Sequence, residues 1–243
     1  GPGYRENILS KAAVGDRISI VTNGVDPAKF KPVHHSESFT DRYGLEDRFV
    51  CSYIGTVGMA HGLDVIVRTA KRFKQQNRDD VVFLIVGGGT RLEALRSAVA
   101  EEGLDHWIKL TGRLDKSEMP SALAASDTCL VHLSKVDLFE HVIPSKIFET
   151  MAMERPIIMG VRGRAREIVL AAHSGVAMEP ENDQHLFDLL DWMVGDRSQV
   201  RQLGRNGREF VLEYFNRDEL AEDMLMIVGR TAAGDHFCLD DRQ

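Results

Sequence analysis

The sequence predicts an α/β protein built on a doubly wound parallel sheet that is followed by C-terminal helices. Short β-branched runs alternate with longer amphipathic stretches along most of the 243 residues, which is the pattern of repeated strand–helix units. The runs are apolar throughout, as expected of strands that are covered on both faces. Several runs end directly in glycine, where a strand turns into a helix.

The individual elements follow from these patterns. The short apolar runs predict strands over residues 17–22, 49–54, 80–86, 107–111, 129–133, 156–159 and 176–178. Apolar residues recurring with a period near 3.6 predict helices. These helices cover residues 63–76, 90–102, 116–125, 145–153, 165–172, 184–194, 198–214 and 217–228. The tail over residues 231–243 lacks periodicity and is expected to fray.

Composition limits the classes of function. With 30 Lys and Arg against 37 Asp and Glu, the net charge is −7, so no nucleic-acid partner is expected. The three cysteines lack motif spacing, and Cys51 and Cys129 are expected to be buried thiols. No histidine spacing indicates a metal site. No transmembrane segment or signal peptide is recognised, which favours a cytoplasmic protein in a reducing compartment.

Ligands of such sheets bind beyond the carboxyl ends of the strands, so the loops that follow the strands are the candidate sites. The first loop holds Gly55, Gly58 and Gly62 between a strand and a helix. Glycines there allow close backbone approach, and free amides at a helix start suit a phosphate. A tight turn without a ligand is the alternative. The spacing differs from G-x-G-x-x-G, so NAD is a weak interpretation.

The next two loops also combine glycine with arginine. Gly87-Gly88-Gly89-Thr90-Arg91 follows the most apolar strand, and its triple glycine indicates that something approaches the backbone closely. Gly112-Arg113-Leu114 places an arginine at a strand end, where it could stack on a base or pair with a phosphate. A flexible connection and a solvated arginine are the respective alternatives.

The fourth loop leads into a helix that begins at Pro144 or Ser145. Lys146 and the first free amides of this helix could hold a diphosphate. Glu149 lies three residues later on the same helical face, where its carboxylate suits a neighbouring ribose diol. A surface Lys–Glu pair is the alternative for these two residues.

Taken in order, these motifs resemble the C-terminal, nucleotide-sugar-binding half of a GT-B glycosyltransferase. The resemblance is greatest to retaining family 4, in its bacterial surface-polysaccharide branch, and it covers about residues 4–228. The motifs are NGVD…F within residues 21–30, the glycine loop at Gly55, VGGG at 86–89, TGRL at 111–114 and PSKIFETMAMERPII at 144–158. The sheet is then the Rossmann-like half of a GT-B fold.

The resemblance implies transfer of a sugar from a UDP- or GDP-sugar to an acceptor hydroxyl with retention at the anomeric carbon. No metal or other cofactor is expected. It implies Glu149, Lys146 and His141 as catalytic residues. The residues implied to bind the nucleotide sugar are Gly55, Thr56, Val57, Gly58, His61, Gly87, Gly88, Gly89, Arg91, Arg113, Leu114, Pro144, Ser145, Lys146 and Glu149.

Two positions depart from the pattern of the family. His141 occupies the place of the first glutamate of the E-x7-E motif, of which Glu149 is the second, and Glu140 is one residue early. His61-Gly62 stands where the family has Lys-Gly. We expect Lys146 and Arg113 to supply the positive charge that the first loop lacks.

The resemblance also divides the chain. Residues 1–16 are expected to be a remnant of an N-terminal domain or hinge helix, 17–215 the nucleotide-sugar-binding domain, 216–230 a crossover helix and 231–243 a disordered tail. The resemblance implies that the complete enzyme also has an N-terminal acceptor domain, and without it the fragment is expected to be inactive. A lipid-linked or glycan acceptor, and a peripheral position at the inner face of the plasma membrane, are implied for the complete enzyme.

Three other functions remain open from the residues. One is a GT-B epimerase of nucleotide sugars, which needs catalytic carboxylates that the sequence does not reveal. Another is a non-catalytic, partner-binding subunit, which the departures at His141 and His61 favour slightly. A flavodoxin-like or NAD-type domain is disfavoured because the dinucleotide fingerprint is absent.

Overall fold

A parallel sheet of six strands forms the centre of the protein, in the order β3-β2-β1-β4-β5-β6. The computed structural model describes residues 5, 8–11, 18–33, 37–136 and 142–233. The strands are β1 Phe49–Ile54, β2 Val81–Val86, β3 Ile108–Gly112, β4 Thr128–His132, β5 Ile157–Gly160 and β6 Gly175–Ala177. Each neighbouring pair runs parallel, which confirms the predicted fold class.

Helices cover both faces of this sheet. In the described residues they are α1 Glu37–Tyr43, α2 Asp64–Gln75, α3 Leu92–Glu101, α4 Met119–Ala124, α5 Lys146–Ala152, α6 Arg164–Ala171, α7 Asp183–Gly195, α8 Arg197–Tyr214 and α9 Arg217–Ala232. Short 3₁₀ turns at Met59–His61 and Lys116–Glu118 precede α2 and α4. None of the helices in this described part is long and apolar enough to span a membrane.

The two faces of the sheet bury separate apolar clusters. Side chains of β1 alternate between the faces, so that Tyr53 points toward α2, α3 and α7, whereas Val50 points toward α1 and α4. A third cluster packs α5, α6 and the end of α8 against β4 and β5. Every residue of β2 is buried, as its uniformly apolar sequence requires. Cys51 and Cys129 are buried free thiols, as predicted.

The first predicted strand, over residues 17–22, is wrong for its described part. Residues 18–22 form no strand, and the chain instead leads to Val25, which makes a single bridge to Asn216. The amide of Val25 donates to Phe215 and its carbonyl accepts from Arg217, at 2.9 Å each. Val25, which follows the predicted run, thereby joins the corner between α8 and α9.

Other differences are local. The prediction missed α1, whose signal is the Phe39–Tyr43 pair at helical spacing with ring centroids 4.9 Å apart. The predicted helix over 116–125 is divided, because Pro120 lies in the first turn of α4 and lacks the amide that a continuous helix needs. The last helix extends to Ala232. Most of residues 1–16 and all of 234–243 lie outside the described residues.

Candidate functional site

The candidate site lies where the strand order of the sheet reverses. From β1 the chain moves outward to β2 and β3, and then returns to place β4 on the other side of β1. The loops after β1 and β4 therefore leave the sheet toward opposite faces, and a crevice opens between them. Four of the predicted loops, which follow β1, β2, β3 and β4, end at this edge.

The two glycine loops pack tightly against each other. The amide of Gly55 donates to Val86 O and that of Val57 to Gly88 O, both at 2.9 Å, and Arg91 N donates to Val57 O at 3.0 Å. A Cβ on Gly87 would overlap the carbonyl oxygen of Gly55. What approaches the triple glycine so closely is thus the neighbouring loop of the same chain.

This packing limits what the first loop can offer, because Gly55, Thr56, Val57 and Gly58 are all implied to bind the nucleotide sugar. The amides of Gly55 and Val57 already donate to carbonyl groups, and the Val57 side chain is buried in the core. The amides of Thr56 and Gly58 make no hydrogen bond within the described part of the chain. These two are the donors that the first loop can offer to a ligand.

Lys146, the first residue of α5, reaches back over this loop. Its Nζ lies 2.7 Å from the point that a Cβ on Gly55 would occupy and 4.3 Å from the ring centroid of Tyr53. Burial lowers the pKa of Lys146 to about 8. Among the described residues no carboxylate lies within ion-pair distance of this ammonium group. A half-buried cation without a counter-ion is suited to an anionic ligand.

Tyr53 is part of this arrangement, and the sequence did not reveal it. Its hydroxyl donates to the carbonyl of Thr56 at 2.7 Å, which fixes the shape of the loop. Its ring supports the Lys146 ammonium group, as cations favour the face of an aromatic ring. Burial raises the pKa of the Tyr53 hydroxyl well above its usual value, so it remains a neutral donor.

Glu149 follows Lys146 by one helical turn and is half-buried. Burial raises the pKa of its carboxyl group, while the positive charges of Lys29, Arg217, Lys116 and Lys146 act in the opposite direction. In the described ranges its carboxylate makes no hydrogen bond or close ion pair. It is therefore an available acceptor in a positively charged environment, which fits the hydroxyls of a ligand that also carries phosphates.

His61 stands on the far side of the same loop. Its ring meets Tyr53 edge to face with centroids 6.0 Å apart. Burial and the nearby charge of Lys146 lower the pKa of His61. Its Nδ1 is buried and makes no hydrogen bond of normal geometry among the described residues, although the nearby backbone of Gly58 acts to raise the pKa of the ring. The structure thus brings His61, Lys146 and the first glycine loop together.

The two predicted arginines occupy different places. Arg113 is exposed and lies beside Gly88, with its Cβ 3.7 Å from the position of a Cβ there. Arg91 caps α3 and approaches Asp64 to 4.0 Å. This pair lines a pocket of about 200 Å³ beside Gly58 and Met59, on the face covered by α2 and α3. Arg113 is therefore the better placed of the two to meet a base at the crevice.

The start of α5 and the loop before it complete the set of predicted residues. Ser145 is the exposed N-cap residue, and its side chain makes no capping hydrogen bond. The carbonyl of Pro144 accepts from Ile147 N at 3.1 Å. Leu114 packs against the cluster beneath β2. His141 and Glu140 lie outside the described residues. No group of three or more metal-ligating side chains occurs in the part that is described.

A second residue that the sequence analysis passed over is His132, the last residue of β4. It is buried, and both of its ring nitrogens have hydrogen-bond partners, one of them the carbonyl of His61. Its only sequence signal is a histidine at the end of an apolar strand.

Comparison with known proteins places this geometry in context. Residues 36–210 match the family described as glycosyl transferases group 1. A GDP-mannose-dependent alpha-(1-6)-phosphatidylinositol monomannoside mannosyltransferase of Mycobacterium tuberculosis is 27% identical over 203 residues. The match covers 82% of this chain and 52% of that relative. The chain spans about half the length of the curated relatives it matches.

Solved structures share the fold. HepE of Anabaena in complex with UDP superposes with a TM-score of 0.75 at 18% identity, covering 88% of this chain and 58% of that one. The C-terminal domain of a group 1 glycosyl transferase, LpcC of Francisella tularensis, has a TM-score of 0.65 at 22% identity. That match covers 79% of this chain and 99% of the other, so a similar half has been crystallised by itself.

Proposed function

Because the chain belongs to the glycosyl transferases group 1 family, we propose that it is the donor-binding half of a glycosyltransferase. It binds the nucleoside diphosphate of a UDP- or GDP-sugar, and the complete enzyme moves the sugar to an acceptor hydroxyl in glycan or polysaccharide biosynthesis. The observation that carries this proposal is the Lys146 ammonium group, half-buried over Gly55 in the crevice and without a counter-ion in the described residues.

The diphosphate binds between the first glycine loop and the start of α5. Lys146 supplies the positive charge, and the amides of Thr56 and Gly58 are the available donors of the loop. When the sugar leaves, negative charge develops on the diphosphate, and fixed donors that already point at that charge stabilise it. Catalysis by this half is thus electrostatic, and retention at the anomeric carbon is part of the proposal.

The nucleoside extends from the diphosphate toward β2 and β3. Glu149 accepts hydrogen bonds from the ribose hydroxyls, because its carboxylate is available and flanked by cations. The base lies near Gly88, where the exposed Arg113 guanidinium can stack on it. Relatives and structural neighbours include a GDP-mannose-dependent enzyme and a UDP complex, which supports either base.

The acceptor belongs to the other half of the enzyme. The chain spans about half the length of its curated relatives, and α9 exposes Met224, Leu225 and Val228 to 51%, 71% and 54%. We propose that this apolar surface packs on the acceptor domain. The mannosyltransferase relative is named for a phosphatidylinositol-linked acceptor, which favours a lipid-linked or glycan acceptor met at the cytoplasmic face of the membrane.

Calorimetric titration of the purified chain with UDP, GDP, UMP, GMP and NAD tests the proposal. We expect UDP or GDP to bind, with a clear loss of affinity when one phosphate is removed, because Lys146 faces the diphosphate. NAD should not compete. A folded chain that binds neither UDP nor GDP contradicts donor binding by this half.

A matched pair of variants assigns the charge. Lys146→Met keeps the length of the side chain and removes its charge, which should weaken diphosphate binding about 10-fold to 100-fold, as expected for a hydrogen bond to a charged group. Lys71→Met removes an exposed lysine on α2 that pairs with Glu102 and should leave binding unchanged. Equal losses for UDP and uridine in Lys146→Met would contradict the role of Lys146.

A further inference from the structure

His132 connects the candidate donor site to the loop that follows β6 at the same edge of the sheet. It is 1% exposed. Its Nδ1 lies 2.7 Å from the carbonyl oxygen of His61, and its Nε2 accepts the amide of Glu181 at 2.9 Å. These partners are 71 and 49 residues away in the chain.

The partners fix the state of the ring. The Glu181 amide can only donate, so Nε2 must carry a lone pair. The His61 carbonyl can only accept, so Nδ1 must carry the hydrogen. His132 is therefore a neutral imidazole of one tautomer. Burial lowers its pKa, in agreement with this state.

Two glycines make room for the ring. A Cβ on Gly62 would lie 3.1 Å from His132 Cε1, and a Cβ on Gly160 would lie 2.5 Å from its Cδ2. The ring is thus enclosed between the end of the first loop and the end of β5. Because the close packing leaves the ring no alternative rotamer, its hydrogen bonds hold the two backbone segments at a fixed distance from each other.

Each ring nitrogen of His132 bonds to a backbone segment outside the α-helices and strands, namely Glu181 and the turn Met59–His61. Glu181 has a φ of +62°, a region that non-glycine residues rarely adopt. At the other end, His132 and a hydrogen bond of 2.9 Å from Ser134 N to Ala60 O fasten the turn Met59–His61 to the end of β4. The side chain that leaves this turn is His61, whose buried Nδ1 makes no hydrogen bond of normal geometry in the described residues.

We propose that His132 is a positioning residue that holds the turn Met59–His61 against β4, so that the His61 imidazole stays beside Lys146 and binds the donor diphosphate. The inference rests on the proposed donor site and adds a second ligand for the diphosphate together with the residue that places it. Protonated His61 binds the phosphate oxygen, and His132 acts only through its bond to the His61 carbonyl.

Charged groups around both rings bear on this assignment. His61 faces Lys146 and the hydroxyl-bearing ring of Tyr53, while its backbone meets His132. His132 is influenced by the charges of Glu181, Arg68 and His61. The positive charge of Lys146 disfavours protonated His61 in the free protein, and a bound diphosphate reverses this effect. Binding should therefore raise the pKa of His61.

Four variants of the chain test the proposal by titration with UDP, GDP, UMP and GMP. His132→Leu keeps most of the volume and removes both hydrogen bonds. His132→Asn retains a donor near the position of Nδ1. Gly160→Ala keeps the histidine but adds a methyl group that would lie 2.5 Å from Cδ2 of its ring, so the ring must move. Gly195→Ala is the matched control, because nothing lies within 4 Å of the added Cβ.

We expect His132→Leu and Gly160→Ala to weaken diphosphate binding about tenfold, the effect of losing one hydrogen bond to a charged group. The monophosphate should change much less. His132→Asn should recover most of the affinity, and Gly195→Ala should equal the wild type. By NMR, the His61 pKa should rise with the diphosphate in the wild type and not in His132→Leu.

The outcomes separate the two proposals. If the wild type binds neither diphosphate, donor binding itself fails. If the wild type binds but folded His132→Leu binds equally well, or loses affinity for both phosphate forms alike without rescue by asparagine, the positioning role is overturned. An unchanged His61 signal on diphosphate binding also overturns it. If His132→Leu does not fold, Gly160→Ala decides instead, and an unchanged diphosphate affinity of this variant overturns the positioning role.

Discussion

Replacing Gly87 with alanine should strongly destabilise the protein, although it adds a single methyl group. Gly87 has a φ of +147°, a region that is essentially restricted to glycine. The added Cβ would lie closer than 3.0 Å to the carbonyl oxygen of Gly55. That neighbour is backbone and cannot swing aside as a long side chain does, so the two loops must separate.

The magnitude follows from two costs. Backbone strain in this region is worth about 1–3 kcal/mol, and overpacking adds about 1–3 kcal/mol. A loss near 4 kcal/mol lowers the melting temperature of a chain of this size by about 8–16 °C. Gly44→Ala is the matched control, with a φ of +61° and nothing within 4 Å of the new Cβ. It should lose about 1 kcal/mol, or about 2–4 °C.

Thermal unfolding followed by circular dichroism, with and without UDP, measures both variants. We expect Gly87→Ala to melt well below Gly44→Ala, and the deficit to remain when UDP is present. The reasoning is refuted if the two variants melt at the same temperature. It is also refuted if Gly87→Ala keeps its stability and loses only affinity for UDP, because the glycine would then serve the ligand.

Four further predictions concern the crevice and α9. Burial lowers the pKa of Lys146 to about 8. Above that pH the ammonium group loses its charge, so UDP affinity should fall by up to about tenfold per pH unit. A titration series from pH 7 to 10 measures this fall, which Lys146→Met should abolish. Because the folded pKa lies below the usual 10.5, Lys146 should make the free energy of unfolding of the unliganded protein rise over the same interval. Glu149→Gln should weaken UDP about tenfold but barely change 2′,3′-dideoxy-UDP, and equal losses would contradict its contact with ribose. Leu225→Lys should shift the free energy of unfolding by less than about 0.5 kcal/mol and reduce any self-association seen by sedimentation, with UDP binding unchanged.

The strands and most helices could be predicted because their signals are local. The uniformly apolar run at β2 and the 3.6-residue period of α2 each identify an element without knowledge of its neighbours. The predicted strand over 17–22 is wrong because an apolar run alone does not show which segment it pairs with. Val25, just after this run, instead bonds to Phe215, which lies 190 residues later in the sequence. No local pattern in the sequence indicates this contact.

The site shows the same division. Lys146, His61 and the glycines could be proposed from the sequence because each lies after a strand, where ligands of such sheets bind. Tyr53 and His132 were missed because both lie inside apolar strands and act through contacts. The role of Gly87 was also open, since a glycine shows in the sequence that space is needed but not which group fills it.

The two halves of the sheet meet where β1 pairs with β4, which is the shortest strand pairing of the sheet. Six residue pairs join β1 to β2, whereas two pairs join β1 to β4, and this is where Gly55 and Lys146 come together from positions 91 residues apart. The crevice therefore depends on the pairing of β1 with β4, because its two walls come from different halves of the sheet. If the crevice binds a diphosphate as proposed, the ligand contacts both halves of the sheet, and its binding should raise the free energy of unfolding of the chain.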